Sequence, residues 1–464
     1  MEAEKNRTLK ELLPPLNLLP LLFSYTIDHI AVSSYWIFFG IFLNEEISDS
    51  YLDVAVILAV PAIISVFGTT AMSSFSDKTG RRKLLIFGSK LALMMQYVLL
   101  LVISIIGPKI WNILLILVFF GIFTQIYYTQ VSALVTIICP PDRKGQVSSY
   151  QIFFASLGWM IGSSLSDIIY NWKGIIGSLG FAAGFALVAG FIAMLSTSKP
   201  YSEQVKDATT DVVNEKQVET WVLNDTPRIV EPIKSSEEYA SYFEIFKRRK
   251  ILILLITLAI LDFGFGPFNV ISSVYFKNVY LTHFSDEVFV NALIAKGNTI
   301  ATAFGMVLLL VSGAILDRTG RKPILIFSML FYPILYTFMF FFSSHPWALF
   351  AIYLYPLYAL KVPTANTIMA DMTSENERGR GMSLVQMEQI VFGNLGAILG
   401  CYIADIFPED IIPRFVPEGI YIIPLFPMVL GVVALLLSIF LVKESNPKIL
   451  AKIAGIEKMN MGSK

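Results

Sequence analysis

The sequence predicts an all-α membrane protein with twelve transmembrane helices in two pseudo-symmetric six-helix bundles. Three observations lead to this prediction. Of the 464 residues, 55% are hydrophobic and only 15% are charged, whereas a soluble globular chain has about 25% charged residues. Twelve apolar runs are long enough to cross a bilayer. A loop motif of the first half of the chain recurs in the second half.

Each apolar run has roughly the 20 residues or more that a transmembrane helix needs. A transmembrane strand would instead show about 10 residues of alternating polarity. In chain order the runs cover residues 16–43, 53–74, 84–106, 110–138, 148–170, 174–196, 250–276, 288–316, 324–343, 346–371, 382–404 and 419–442. We therefore expect the chain to cross the membrane twelve times.

A long polar segment separates the sixth and seventh runs. It is rich in Glu, Lys, Asp, Ser and Thr, a composition that favours disorder. The predicted organisation is an N-terminal bundle at residues 1–196, a largely disordered cytoplasmic linker at 197–247, a C-terminal bundle at 248–443 and a cytoplasmic tail at 444–464.

The basic residues predict how the chain is oriented in the membrane. Of the 35 Lys and Arg residues, 29 fall in the termini, linker and loops on one side, four fall on the other side, and two lie within helices. Cytoplasmic loops carry an excess of Lys and Arg. We therefore expect a multi-pass plasma-membrane protein with both termini in the cytoplasm.

The composition also argues against other classes of protein. The formal net charge is 0, so nothing points to a nucleic-acid partner. Two cysteines and three histidines in the whole chain are too few for a disulfide framework or a metal cluster. The sequence shows no nucleophile–histidine pair and no phosphate-binding glycine loop. We therefore expect neither an enzyme nor a cofactor.

Two loop segments recur between the halves. Between the second and third helices of each half, SDKTGRRKLLIF starts at Ser76 and LDRTGRKPILIF starts at Leu316. Between the fourth and fifth helices, the matching pairs are Arg143 and Arg378, Ser148 and Ser383, Gln151 and Gln386, and Gly158 and Gly393. Because both halves begin on the same side, the predicted repeat is parallel.

The twelve spans, the central polar loop and the paired Asp-x-x-Gly-Arg motifs resemble the major facilitator superfamily of secondary transporters. In that family a glycine usually stands four residues before the aspartate. Gly313 keeps it in the second half, whereas Ser73 replaces it in the first half. The resemblance implies alternating access, in which two halves rock about a central site and the paired loops act as a cytoplasmic latch.

The loop motif also has a direct physical reading. A glycine permits a tight turn between helices, and an acid beside it can cap a helix N-terminus or pair with an arginine. The candidate latch residues are Asp77, Gly80, Arg81, Asp317, Gly320, Arg321, Arg143 and Arg378.

Two acids lie at membrane depth in equivalent helices. A charge at the bilayer centre costs about 2.5–3.5 kcal/mol even on a lenient scale. Asp28 lies about twelve residues, or roughly 18 Å, into the first helix. Asp262 lies at a similar depth in the seventh helix, and the family architecture makes both helices line the central cavity. Asp28 is the best candidate for the coupling proton, neutral at one stage and charged when water or Lys361 approaches.

Further candidates for the proton or substrate site are polar residues on helices four, seven, eight, ten and eleven. They are Gln125, Tyr128, Asn269, Lys296, Lys361 and Glu388. His29 points about 100° away from Asp28, so we expect it to support the site or to pack between helices. The segment GFGPF, residues 264–268, predicts a kink in helix seven, because proline removes a backbone hydrogen bond and glycines loosen the turn.

Several of these charges also admit a purely structural interpretation. Lys361 and Glu388 would then form an ion pair between neighbouring helices, and Lys296 would extend outward. Lys90 is expected to snorkel to the cytoplasmic end of helix three. Asp167 is expected to lie at the outer interface.

The sequence thus predicts a proton-coupled secondary transporter of a small organic solute, with symport of a sugar, polyol or organic acid favoured. One alternative is a proton-coupled exporter of drugs or metabolites. An alternative of another class is a receptor or sensor that has a transporter fold and does not move its ligand. The expected partners are the solute, protons or another coupling ion, and the lipid bilayer, and the protein is expected to be monomeric.

Overall fold

The computed structural model describes residues 14–79, 81–139, 144–197, 242–342, 345–347, 357–374, 377–407, 419–446 and 449–450. The helices in this part of the chain are α1 Leu19–Glu46, α2 Tyr51–Thr79, α3 Arg82–Ile106, α4 Ile110–Ile138, α5 Lys144–Met194, α6 Tyr242–Lys247, α7 Arg249–Leu281, α8 Glu287–Thr319, α9 Arg321–Phe341, α10 Lys361–Met372, α11 Arg378–Ile406 and α12 Leu425–Phe440. Short 3-10 turns cover Leu16–Leu18, Leu357–Leu360 and Gly419–Ile422. Most of the predicted linker and tail lies outside the described residues.

The helices follow the predicted spans. α1 to α4 and α7 to α12 correspond in order to the spans with the same numbers. α5 contains both the fifth and the sixth spans. Between these two spans its backbone leaves helical geometry, at Lys173 (φ −139°, ψ 16°) and Gly174 (φ 59°, ψ −153°). Glycine reaches positive φ without a steric penalty, so Gly174 lets the chain reverse direction there. The predicted all-α fold with twelve spans is confirmed.

We call the end of the molecule at which α1 begins the proximal end and the opposite end the distal end. In each half the first helix is largely enclosed by its neighbours: most of α1 and of α7 is buried. A buried helix in the middle of a bundle can carry a charged side chain out of contact with lipid. This placement explains how the acids of α1 and α7 are tolerated.

A close-packed seam joins the first and fifth spans of each half. In the N-terminal half, a Cβ added at Gly158 would lie 2.2 Å from the backbone oxygen of Thr26. In the C-terminal half, a Cβ at Gly266 would lie 1.9 Å from the oxygen of Gly393, and one at Gly396 would lie 1.9 Å from the oxygen of Phe263. These distances leave no room for a side chain, so glycine is required for the two backbones to approach.

The GFGPF segment of α7 lies at a kink, as predicted, but its glycines have a different role from the predicted one. Its two glycines face neighbouring helices, since a Cβ at Gly264 would lie 2.7 Å from the Cβ of Leu430 and Gly266 contacts α11. The departure from helical geometry falls at Ile271 (φ −114°, ψ 18°), about one turn after Pro267. The predicted kink is therefore present, but the glycines serve close packing instead of loosening the turn.

Candidate functional site

A buried ion pair occupies the centre of the N-terminal half. Asp28 on α1 pairs with Lys90 on α3, and both side chains are 1% exposed. The Lys90 ammonium also lies 3.4 Å from the centroid of the Tyr127 ring on α4, which adds a cation–π attraction. The expectation that Lys90 snorkels is wrong, because Asp28 and Tyr127 compensate its charge inside the bundle.

His29 and Tyr128 join the surroundings of this pair. The His29 ring lies 4.5 Å from the Tyr25 ring and 5.4 Å from the Tyr128 ring, centroid to centroid. His29 Nδ1–H donates to the Tyr25 carbonyl oxygen at 2.8 Å. Gln125, one turn before Tyr128 on α4, is half-buried. The structure thus brings Asp28, His29 and Tyr128 together in one aromatic, charged cluster. We call these three residues, with Lys90 and Tyr127, the N-half cluster.

A second buried cluster occupies the C-terminal half. Asp262 on α7 pairs with Lys361 on α10. Glu388 on α11 lies beside Asp262 and is only 7% exposed. Neither of its carboxylate oxygens has a hydrogen-bond partner of good geometry among the described atoms. The ion-pair partner of Lys361 is thus Asp262, and Glu388, the partner expected in the structural interpretation, is the third member. We call these three residues the C-half cluster.

The two clusters differ in their balance of charge. When every group is ionised, Asp28 and Lys90 sum to zero, whereas Asp262, Glu388 and Lys361 sum to −1. An uncompensated buried ion costs several kcal/mol. The C-half cluster therefore becomes neutral when it binds one proton, whereas the Asp28–Lys90 pair is neutral without one.

A cavity lies between the halves. Its volume is about 120 Å³, and α1, α2, α5, α7 and α8 contribute to its wall. Its polar and aromatic lining residues are Trp36, Phe39, Trp159, Asn269, Ser272, Ser273 and Asn298. No charged residue is among the described lining, and no member of either cluster belongs to it. The predicted site residue Asn269 is part of this wall, whereas Asp28 is not.

Lys296 lies apart from both clusters. Its side chain on α8 is exposed, and its charge acts on Asp167 of α5. Asp167 is only 6% exposed. The side chain is therefore enclosed by protein, and its expected place at the outer membrane interface stays a prediction.

The second copy of the loop motif forms a compact network at the proximal end. Gly320 has a φ of +99° and starts the turn into α9. Arg321 Nε donates to Asp371 Oδ2 at 3.3 Å. The Glu444 carboxylate accepts from the backbone N–H groups of Arg321 at 3.0 Å and Lys322 at 3.1 Å. Glu444 thus caps α9, a role that the sequence assigned to the motif aspartate. The sequence feature that could have pointed to this cap is an acidic residue shortly after the last apolar run.

The first copy of the motif is described only in part. Arg81 is exposed, and nearby Lys83 Nζ donates to the Ser196 oxygen at 2.6 Å. Gly80, Arg143 and the side chains of Asp77, Asp317 and Arg378 lie outside the described residues. The cytoplasmic latch therefore stays a prediction.

Comparisons with known proteins agree with this architecture. The family model of the Major Facilitator Superfamily matches residues 21–360 and 298–458. A mutant of the nucleoside transporter NupG is 12% identical, with a TM-score of 0.68 over 92% of this chain and 100% of that chain. A bacterial homolog of the human lysosomal transporter Spinster is 13% identical, with a TM-score of 0.66 over 91% and 95% of the two chains.

A D-xylose-proton symporter is 13% identical, with a TM-score of 0.64 over 92% of this chain and 97% of that chain. No curated protein sequence matches. The fold likeness extends over nearly the whole chain, and the family model matches well over half of it. The chain belongs to the major facilitator superfamily.

Proposed function

We propose that this protein is a proton-coupled secondary transporter that moves a small, uncharged, polar solute by alternating access. The observation that carries the proposal is the C-half cluster, in which a second buried acid, Glu388, lies beside the Asp262–Lys361 ion pair. The cavity between the halves supplies the solute site. Family membership supports transport as the class of function.

The proton step follows from the charge of the C-half cluster. While the cluster is shielded from water, it is neutral if one carboxyl group carries a proton. When the halves rock and water reaches the cluster, the additional carboxylate becomes hydrated and the proton leaves. Glu388 is the proposed carrier, because Asp262 already has the Lys361 ammonium as its counter-ion.

This assignment moves the coupling role away from Asp28. Lys90 balances Asp28 completely, and both side chains are 1% exposed. A balanced and enclosed pair gains little from a proton. Asp28 is proposed to hold α1 against α3, while Asp262, Lys361 and Glu388 respond to protons.

The cavity wall favours an uncharged solute. Trp36 and Trp159 offer apolar faces, and Asn269, Ser273 and Asn298 offer amide and hydroxyl groups. Because Lys361 is occupied by Asp262, it is not free to hold a substrate carboxylate. Because no acid is among the described lining residues, a lipophilic cation has no counter-ion there. A sugar, polyol or nucleoside-like ring suits this wall best, and D-xylose and nucleosides are the solutes for which two of the similar structures are named.

The proposal is tested with purified protein in proteoliposomes. A pH gradient is imposed in each direction, and uptake of labelled neutral solutes is compared with solute exchange in the absence of a gradient. We expect wild type to accumulate one solute only under the gradient. We expect Glu388→Gln to lose this accumulation and to keep exchange, because a neutral Asp262–Lys361 pair remains.

Gln389→Ala is the matched control, since Gln389 is the exposed neighbour of Glu388 on the same helix. We expect it to behave as wild type. Gradient-driven accumulation by Glu388→Gln at the wild-type level would contradict the proton assignment. Binding of a solute with no flux in wild type would instead identify a receptor.

A further inference from the structure

A carboxylate from one half caps a helix of the other half at the distal end. Asp405, in the last turn of α11, accepts three hydrogen bonds from the start of α2. The donors are the Ser50 hydroxyl at 2.6 Å, the Tyr51 N–H at 2.8 Å and the Leu52 N–H at 2.9 Å. The first N–H groups of a helix have no partner within the helix, and an acid there also interacts favourably with the helix dipole.

Asp405 is unusual among helix-capping residues because it lies far from the capped helix in the chain. A capping acid normally precedes its own helix by a few residues, whereas Asp405 lies 355 residues after Ser50 in the chain. The cap therefore exists only while the distal ends of α2 and α11 are together. The start of α2 loses these three bonds when the halves part there.

Other polar contacts close the same end of the molecule. Lys277 at the end of α7 pairs with Glu45 at the end of α1 and with Glu287 at the start of α8, each at 2.6 Å. Asn291 of α8 donates to Asn171 of α5 at 2.9 Å. Two of these contacts, Lys277 with Glu45 and Asn291 with Asn171, also join the two halves, so the described conformation is closed at the distal end.

We propose that Asp405 is a positioning residue that sets how long the distal end stays closed. Its carboxylate stabilises only the distal-closed conformation, and a group with such differential contacts shifts a two-state equilibrium. Removal of the cap favours the distal-open conformation by roughly fivefold in population, the lower end of typical coupling between states. The inference rests on the alternation of the proposed transport cycle and is independent of proton coupling.

The test measures access to the cavity without any solute. Ser273→Cys places a thiol on the cavity wall, and the native Cys139 and Cys401 are buried and react slowly. A membrane-impermeant maleimide is added from the distal side, and the labelling rate is measured. We expect Asp405→Ala to raise the rate roughly fivefold and to lower labelling from the proximal side.

Asp53→Ala is the matched control. Asp53 lies in the same first turn of α2, but its carboxylate accepts from Ser48 of its own half at 2.6 Å. We expect the control to label at the wild-type rate. Equal distal labelling of Asp405→Ala, Asp53→Ala and wild type would overturn the inference.

A second variant tests whether the distal end opens by separation of α2 from α11. Ser50→Cys with Asp405→Cys puts two thiols at the contact, where a short bifunctional thiol reagent joins α2 to α11. We expect cross-linking to suppress distal labelling at position 273 and cleavage of the linker to restore it. Unchanged distal labelling after complete cross-linking would also overturn the inference. If Glu388→Gln keeps its response to a pH gradient while Asp405→Ala opens the distal end, only the coupling proposal fails.

Discussion

The two halves carry the same acid at the same depth and solve the problem of its burial differently. In the N-half cluster, Asp28 takes its lysine from the third helix, and an aromatic ring covers the ammonium. In the C-half cluster, Asp262 takes its lysine from the tenth helix, and a second acid lies beside it. Both halves therefore have the acid at the equivalent position, but the helix that supplies its lysine and the charge balance around it differ.

This difference teaches that position within a repeat does not determine function. A 1:1 buried pair is satisfied electrostatically and serves to hold helices together. A 2:1 cluster is satisfied only when it binds a proton. In our proposal, the same acid in an equivalent helix thus supports structure in one half and energy coupling in the other.

The largest expected effect on stability comes from a change that breaks the charge balance of the Asp28–Lys90 pair. Asp28→Asn leaves the Lys90 ammonium buried without a counter-ion, and removal of one partner of a buried pair costs about 3–5 kcal/mol. In the C-terminal half, Asp262→Asn leaves a 1:1 pair of Lys361 with Glu388, so we expect a clearly smaller loss. The measurement is thermal unfolding of both purified variants in detergent.

The control for this comparison is the double variant Asp28→Asn with Lys90→Met. Replacement of both partners by uncharged groups of similar size is often neutral or stabilising. We expect it to recover most of the stability lost by Asp28→Asn. Equal destabilisation by Asp28→Asn and Asp262→Asn would show that the charge balance of the clusters does not matter for folding.

The next effect tests whether the seams of the two halves are equally tight. A Cβ at Gly158 would lie 2.2 Å from a backbone oxygen, and one at Gly396 would lie 1.9 Å from another. Overpacking of this kind costs about 1–3 kcal/mol. We expect Gly158→Ala and Gly396→Ala to lower thermal stability by similar amounts, measured in the same detergent.

Gly184→Ala is the control for the seams. This glycine is also helical, but nothing lies within 4 Å of an added Cβ. Alanine has the higher helix propensity, so we expect unchanged or slightly raised stability. A loss at Gly184 as large as the loss at Gly158 would mean that the destabilisation does not come from the close approach of backbones at the seam.

The smallest expected effect on stability concerns the two copies of the loop motif. Burial acts to raise the pKa of Glu444, but four backbone N–H donors outweigh it and the pKa is lowered from its ordinary 4.5. A carboxyl group with a depressed pKa stabilises the folded state above its unfolded pKa. That contribution is lost as the pH falls below about 4.5 and through the lowered value.

Glu444→Gln should therefore cost about 1 kcal/mol at neutral pH, as loss of a helix cap does, and should be indistinguishable from wild type once the pH is below the lowered pKa. The measurement is amide hydrogen exchange at the start of α9. We expect Arg81→Ala, which changes an exposed side chain of the first copy, to leave amide exchange unchanged throughout the protein. Protection of α9 that does not depend on Glu444 would contradict the assigned cap.

The sequence predicted the spans and the equivalence of Asp28 and Asp262, because hydrophobic length and repeat offsets are one-dimensional properties. It did not predict that Lys90 reaches Asp28, because depth along a helix says nothing about which face a side chain occupies. For the same reason it paired Lys361 with the acid nearer in the sequence, Glu388, and not with Asp262.

The glycines show the same limit in another form. The match of Gly158 with Gly393 was visible as a repeat, but its physical reason was not. Close approach of two backbones depends on pairs of helices that are distant in the chain. Likewise, the sequence shows an acid shortly after the last span, but the position of Glu444 next to Arg321 is what identifies it as a cap.

The two tryptophans of the cavity wall provide an intrinsic fluorescence signal from the cavity. Trp36 and Trp159 both belong to the N-terminal half and face α7 and α8 across the cavity. An indole emits at longer wavelength when water replaces an apolar neighbour, so entry of a solute or separation of the halves shifts the intrinsic fluorescence. A ligand screen by emission spectroscopy, with Trp36→Phe and Trp159→Phe to locate the signal, thus needs neither a radiolabel nor a solute of known identity.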